Sequence, residues 1–170
     1  SFMVDLVDNT KPTADLYIDD DVIGASFSVD SAGTVSAESS NTSMLVAGKI
    51  NLGTITATAG NCSVDMDFLL ENVTDNCTAD ADITVSVVQV SGNVSGVVYP
   101  GDDNDERTAH VQLGAGAFEF QITLNDGQTN PNANGNESAF TFFGTVADVT
   151  APVVTISGNT LVEIPECSTT

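Results

Sequence analysis

The chain has 170 residues, with 24 acidic side chains against three Lys and Arg, and a formal net charge of −21 at neutral pH. Binding to nucleic acid or to an anionic membrane surface requires clustered Lys and Arg, so this composition argues against both kinds of partner. The hydrophobic fraction of 41% is sufficient for a folded core and argues against an acidic disordered tail. No apolar run approaches the ~20 residues of a membrane-spanning helix, so membrane insertion is not expected.

Alternation of apolar and polar residues dominates the chain and predicts β-strands rather than helices. In one clear run, Phe118, Phe120 and Ile122 alternate with Glu119 and Gln121, as in a strand with one buried face. The predicted strands, in chain order, cover residues 13–18, 22–29, 43–58, 63–70, 83–90, 93–99, 108–113, 118–124 and 138–147.

One of these segments, residues 83–90, changes the parity of its apolar residues after Val87, which predicts a bulge or a strand buried on both faces. Many short strands without helices predict an all-β protein, and we expect an antiparallel β-sandwich with Ig-like or jelly-roll connectivity. The expected organisation is a terminal strand and joint at 1–12, a sandwich domain at 13–147, and a second joint at 148–170. Residues 148–170 are also expected to contain either the first strand of the next unit or a donor strand. The terminal strands at both ends are therefore expected to be able to pair with neighbouring units.

The two ends of the chain repeat each other at an offset of 140 residues, from Asp8 to Asp148. When residues 2–12 are laid over 142–152, one Phe, the Asp, one Thr and the Pro coincide. Each end is therefore predicted to contain the last strand of one unit, then an Asp-x-Thr-x-Pro joint, and then the first strand of the next unit. Proline fixes its own φ and lacks an N–H, so it ends one ladder and stiffens the entry into the following strand.

Residues 148–158 resemble the D-x-T-x-P-x-[VI]-T-[IL]-x-G opening of bacterial Ig-like and HYR-type repeats, which occur in large extracellular surface proteins. Residues 8–18 resemble the same opening more weakly. The resemblance implies a structural or adhesive role rather than catalysis. The spacing of 140 residues departs from the family's pattern, because an Ig domain has about 100 residues.

A second arrangement fits the same ends: a terminal strand could leave its own sandwich and complete that of a neighbour. Such a contact does not close on itself and yields a filament. The expected partners are therefore copies of this chain or adjacent repeats. The residues expected at the contact are Phe2, Val4 and Leu6 at one end and Val154 and Ile156 at the other.

Cys62 and Cys77 bracket a predicted strand and are expected to form a disulfide, with two buried free thiols as the alternative. Cys167 is left free or pairs elsewhere, and no Cys or His cluster suggests zinc. The N-x-S/T sequons are candidate glycosylation sites, and the asparagines are Asn41, Asn61, Asn72, Asn76, Asn93 and Asn136. The sequons, the low Lys content and the Ser and Thr richness predict an extracellular, cell-surface location.

Calcium is the one cofactor that the sequence suggests, because Ca²⁺ prefers carboxylate and carbonyl oxygens on turns. Two acidic runs are candidate sites, and their residues are Asp19, Asp20, Asp21, Asp102, Asp103 and Asp105. The joint residues Asp8 and Asp148 are placed to hold an ion between adjacent modules. A solvated acidic turn is the alternative reading of each run, since neither matches the EF-hand pattern.

Catalysis is not expected, because His110 is the only histidine and is predicted to face solvent. Glu119 with Asp65 and Asp67 could form a glycosidase-like pair, although outward carboxylates on strands more simply form a solvated face. The sequence therefore predicts a structural subunit or module of an extracellular surface polymer, assembled head-to-tail through β-strand contacts. The alternative is a β-sandwich module that binds carbohydrate or a host surface, which the absence of Trp makes less attractive.

Overall fold

A computed structural model describes residues 8–19, 24–57, 60–101, 106–128 and 136–149. Nearly all of these residues lie in strands or in the turns between them. The strands are β1 (Thr13–Asp19), β2 (Ser26–Val29), β3 (Val35–Ala37), β4 (Leu45–Val46), β5 (Lys49–Thr56), β6 (Ser63–Thr74), β7 (Thr84–Ser91), β8 (Val94–Pro100), β9 (Arg107–Gly114), β10 (Gly116–Asn125) and β11 (Glu137–Ala147). Two 3₁₀ helices, Thr42–Met44 and Asp80–Asp82, interrupt them. The prediction of an all-β protein is confirmed.

The strands form two sheets that pack face to face. One sheet has the order β3-β2-β1-β6-β9-β8, and the other has the order β4-β5-β11-β10-β7. Neighbouring strands are antiparallel except for β5 and β11, which run parallel. The predicted sandwich is therefore present, but its second sheet is mixed rather than purely antiparallel.

The strand order distinguishes between the two connectivities that the sequence left open. An Ig sandwich places its strands A, B, E and D in one sheet and C, F and G in the other. Here one sheet contains β1, β6, β9 and β8 in the order A-B-E-D. The other sheet contains β7, β10 and β11 in the order C-F-G. The connectivity is therefore of the Ig type, with β2–β5 inserted between the first two strands. This insertion accounts for a joint spacing longer than an Ig domain.

Three phenylalanine rings from three strands meet between the sheets. The ring of Phe68 on β6 lies 5.7 Å from that of Phe120 on β10 and 4.9 Å from that of Phe142 on β11. Phe120 and Phe142 stack at 4.8 Å. All three side chains are fully buried, as the alternation of apolar residues predicts. Phe68 and Phe120 thus join the strands that correspond to B and F, the pair that a disulfide joins in antibody domains.

The structure refines the predicted strands at two places. The segment predicted as one strand over 43–58 is divided into β4 and β5 by a turn, because Ala47 and Gly48 have φ angles of 50° and 78°. A left-handed pair of this kind reverses the chain between hairpin strands. The bulge predicted in 83–90 is present in β7, where the pairing with β10 skips Val90.

Strand registers define two ends of the sandwich. At one end, which we call the joint pole, Thr13 pairs with Thr74 and Asn125 pairs with Glu137. At the other end, which we call the exit pole, Ser63 pairs with Gly114 and Gly116 pairs with Val146. The described chain therefore enters β1 at the joint pole and leaves β11 at the exit pole.

Substitution of adjacent residues on β11 tests this packing. Phe142→Ala empties a fully buried site between the sheets and is expected to lower the free energy of unfolding by about 3–5 kcal/mol. Phe143→Ala removes the same side chain from the opposite, half-buried face and is expected to cost clearly less. Urea unfolding of both variants measures the difference, and equal losses would contradict the assignment of the two faces.

Candidate metal centre

The Asp-x-Thr-x-Pro joint at Asp8–Pro12 is docked onto the joint pole by hydrogen bonds. The Asp8 carbonyl accepts from Asn136 Nδ2 at 3.1 Å, and the buried Ser138 Oγ donates to the Pro12 carbonyl at 2.6 Å. The Lys11 amide donates to the Ser31 carbonyl at 3.2 Å. The joint is therefore held both by the start of β11 and by the inserted β2–β3 hairpin.

Three aspartates from three separate segments converge beside this joint. They are Asp8 in the joint, Asp75 just after β6, and Asp126 just after β10. One carboxylate oxygen from each can be chosen so that the three atoms lie within 4.8 Å of one another. Because β6 and β10 both end at the joint pole, their following loops bring these carboxylates together. We call these three residues the aspartate cluster.

Backbone amides hold one oxygen of each carboxylate in place. Asp8 Oδ1 accepts from the Thr10 amide at 2.9 Å, and Asp126 Oδ1 accepts from the Gln128 amide at 2.8 Å. Asp75 Oδ1 accepts from the amides of residues 77 and 78 at 2.9 and 3.0 Å. These are Asx-type turns, in which an aspartate accepts from amides a few residues further on.

The second oxygen of each carboxylate has no hydrogen-bond partner. Oδ2 of Asp8, Asp75 and Asp126 is buried in every case, and Asp126 as a whole is only 4% exposed. The ion pairs found among the described residues join Lys49 to Glu119 and His110 to Asp67, so neither involves the cluster. Buried carboxylates are normally paired, hydrogen-bonded or bound to a metal. The cluster thus offers hard oxygen ligands suited to coordinating a cation.

Cys77 lies beside the aspartate cluster. Desolvation raises the pKa of its thiol, and the negative charges of Asp8, Asp75 and Asp126 raise it further. The predicted disulfide to Cys62 is wrong, since both thiols are free and exposed. The physical reason is the length of β6, whose 12 residues separate the two cysteines by about 40 Å at a strand rise of ~3.3 Å per residue. Cys167 lies outside the described residues.

The sequon asparagines differ in accessibility. Asn61, Asn76 and Asn93 are exposed in loops, and Asn72 is exposed on β6 with its amide donating to Asp15 Oδ2 at 2.8 Å. Asn41 is half-buried ahead of the first 3₁₀ helix.

Asn136 differs from the other sequon asparagines, because it is 2% exposed and its side-chain nitrogen bonds the Asp8 carbonyl. A glycan on that nitrogen would displace the joint. In the folded protein Asn136 is a structural residue rather than an accessible acceptor.

Several sequence-predicted site residues lie outside what the structure describes. Of the calcium candidates, Asp19 ends β1 but its side chain is not described. The rest lie outside the described residues, and they are Asp20, Asp21, Asp102, Asp103 and Asp105. The expected inter-subunit residues also lie outside, and they are Phe2, Val4, Leu6, Val154 and Ile156. Asp148 is described and exposed, with the Cys62 thiol donating to its Oδ2 at 3.9 Å across the exit pole.

The strand-face carboxylates have structural partners. His110 faces solvent as predicted and pairs with Asp67 on the outer face of the first sheet, where Asp65 accepts from Gln112 at 2.9 Å. Glu119 pairs with Lys49 on the outer face of the second sheet. The two sets lie on opposite sides of the sandwich, so they cannot form one glycosidase-like pair.

Sequence reasoning singled out Asp8 as a possible ion ligand but missed Asp75 and Asp126. Asp126 is the middle residue of Asn125-Asp126-Gly127, a sequence that by itself indicates only a turn. An available signal was the Ig strand order, in which the B–C and F–G loops share one end. With that order assumed, Asp75 and Asp126 would have been placed together.

Comparisons with protein-family models, curated proteins and solved structures found no match for this chain. No helix in the described ranges is long and apolar enough to cross a membrane. The function is therefore inferred from the aspartate cluster and from the two ends of the sandwich.

The pH dependence of Cys77 alkylation tests the electrostatics of this pole. A raised pKa leaves less reactive thiolate at a given pH, so the iodoacetamide rate should rise at a higher pH in the folded protein than in urea. The measurement uses Cys62→Ser/Cys167→Ser protein, in which Cys77 is the sole thiol. Asp126→Asn removes one negative charge and should move the profile to lower pH. Identical folded and unfolded profiles would contradict this account.

Proposed function

We propose that this chain is a structural module of an extracellular surface protein, repeated end to end in a stalk or filament. The observation that carries the proposal is the position of the two joints. Asp8 lies at the joint pole and Asp148 lies at the exit pole, at opposite ends of the sandwich. A chain that enters a module at one end and leaves at the other extends in one direction as modules are added.

The docking of the joint supports a semi-rigid connection. Pro12 is buried, its φ is restricted by its ring, and its carbonyl is bonded by Ser138. The direction in which the chain enters β1 is therefore set by the sandwich. Modules connected in this way transmit orientation along a stalk.

The sheet edges favour end-to-end assembly over lateral strand addition. On one side the edge strands β3 and β4 have only three and two residues. Short edge strands are poor templates for pairing with another chain. On the other side β7 and β8 are close together, since a Cβ on Gly96 would lie 2.8 Å from the Val87 side chain. Exchange of a terminal strand stays a prediction, because the segments concerned lie outside the described residues.

The surface is compatible with an extracellular place. The formal charge of −21 keeps such a protein hydrated and soluble. Four of the sequon asparagines are exposed, which allows glycosylation at Asn61, Asn72, Asn76 and Asn93. The partners proposed are copies of this chain or adjacent repeats.

Binding of carbohydrate is the second candidate function. It is favoured by a shallow groove on the outer face of the first sheet, lined by Asp65, Asp67, His110 and Gln112. Tyr99 is 52% exposed, and its ring packs edge-on against His110 at 5.2 Å. Aromatic rings and paired polar groups are typical of sugar sites, although these polar groups already bond one another.

Labelling of intact source cells with an antibody to the sandwich tests the proposed function. Surface labelling is expected. The intact mass of the labelled protein, denatured with and without reductant, then distinguishes a tandem stalk from separate subunits. A mass of many modules that persists on reduction indicates a tandem stalk, whereas 17.5 kDa plus glycans indicates separate polymerising subunits. Labelling only after permeabilisation would overturn the proposal. Surface display as an unassembled monomer that binds glycan arrays would favour the second candidate.

The joint makes a separate prediction about local stability. Ser138→Ala leaves the Pro12 carbonyl without its buried donor and is expected to lower the free energy of unfolding by about 1–3 kcal/mol. Hydrogen exchange at the Thr10 and Lys11 amides should accelerate. Ser28→Ala is the matched control, because its hydroxyl bonds only the exposed Ser36 hydroxyl. Unchanged exchange at the joint in Ser138→Ala would contradict the docked arrangement.

A further inference from the structure

We propose that Asp8, Asp75 and Asp126 bind one calcium ion, which ties the joint to the two neighbouring loops of the joint pole. This site differs from the acidic runs that the sequence suggests. It also stands without the proposed function, because every ligand comes from this chain.

The first argument is the burial of unpartnered charge. The three Oδ2 atoms are buried and lack hydrogen-bond donors, and Asp126, whose carboxylate belongs to the cluster, is only 4% exposed. A carboxylate oxygen that leaves water without a donor or a counter-charge is costly, and like charges nearby increase the cost. A divalent cation removes both costs at once.

The second argument is the spacing of the oxygens. Ca²⁺ binds oxygens at about 2.3–2.6 Å, so two oxygens on one ion are at most about 5 Å apart. One oxygen from each carboxylate can be chosen so that the three lie within 4.8 Å of one another, a spacing that fits around a single ion. The set contains carboxylates from three loops, and Ca²⁺ accepts such irregular oxygen shells more readily than Mg²⁺, which requires a near-ideal octahedron.

The third argument is that the ligands are held in position before the ion arrives. The Thr10, Cys77 and Gln128 amides fix the Oδ1 atoms and leave the Oδ2 atoms free. Neutral backbone donors orient the carboxylates without cancelling their charge. The cluster therefore keeps its full attraction for a cation.

The position of Asp8 gives the ion a mechanical role. Asp8 belongs to the joint, whereas Asp75 and Asp126 belong to loops of the sandwich. Calcium would therefore fasten the entering chain to the module. If modules do repeat with the 140-residue offset, Asp148 would hold the corresponding ion in the following module; this last step alone rests on the proposed function.

Calcium titration of the full 170-residue chain, after treatment with EDTA, tests the site. Calorimetry should show one site per chain, and Ca²⁺ should raise the unfolding temperature. Asp126→Asn keeps the shape of the side chain and its hydrogen bond from the Gln128 amide but removes one negative charge. Because the charge of the ligands sets calcium affinity, the affinity of this variant for Ca²⁺ should fall at least ~10-fold. In EDTA the same variant should unfold at a higher temperature than the wild type, because one buried negative charge is gone.

Matched variants separate this site from diffuse binding to an acidic surface. Asp65→Asn makes the same charge change on an exposed aspartate of β6 and should leave calcium affinity unchanged. Should Asp126→Asn fail to fold, Asp8→Asn removes a ligand that lies outside the strands and should abolish the calcium effect.

Three results would overturn the proposal. The first is no shift in unfolding temperature with Ca²⁺. The second is an equal loss of affinity in Asp65→Asn and Asp126→Asn, which would indicate surface binding. The third is a response to Mg²⁺ as large as the response to Ca²⁺. Calcium binding without surface display, or surface display without calcium binding, would separate the failure of one proposal from the failure of the other.

Discussion

The packing of Phe68, Phe120 and Phe142 between the sheets is the contact on which the rest of the structure depends. It joins the central strand β6 to β10 and β11 and commits each strand to one inward face. A slip of one residue in any of these pairings would turn the apolar set toward solvent. The register that follows from this packing also sets where each strand ends, and hence which loops meet at each pole.

The inserted strands β2–β5 do more than lengthen the Ig-type sandwich. The turn between β2 and β3 supplies the Ser31 carbonyl that receives the Lys11 amide, and thereby holds the joint from one side. Strand β5 pairs in parallel with β11, and the amide of Ala57, just after β5, donates to the Ala147 carbonyl at the exit pole. The insertion therefore supports the chain where it enters and where it leaves.

Charge and packing act together at the joint pole. A chain with 24 carboxylates can keep most of them in water, where mutual repulsion is screened. Asp8, Asp75 and Asp126 differ because the fold buries one unpartnered oxygen of each and brings the three carboxylates close together. The same strand ends that hold the joint thus concentrate negative charge at the joint pole, where the proposed calcium ion would bind.

The sequence by itself determined the all-β class, most strand positions and the solvent-facing side of His110. These features follow from local patterns, because alternation and turn residues act over two to four positions. The Ig-type order, the free state of Cys62 and Cys77, the burial of Asn136 and the aspartate cluster were decided by the tertiary structure. Each of these features depends on which strands pair and where the strands end. Pairing joins residues that are far apart in the chain, so no local sequence pattern specifies it.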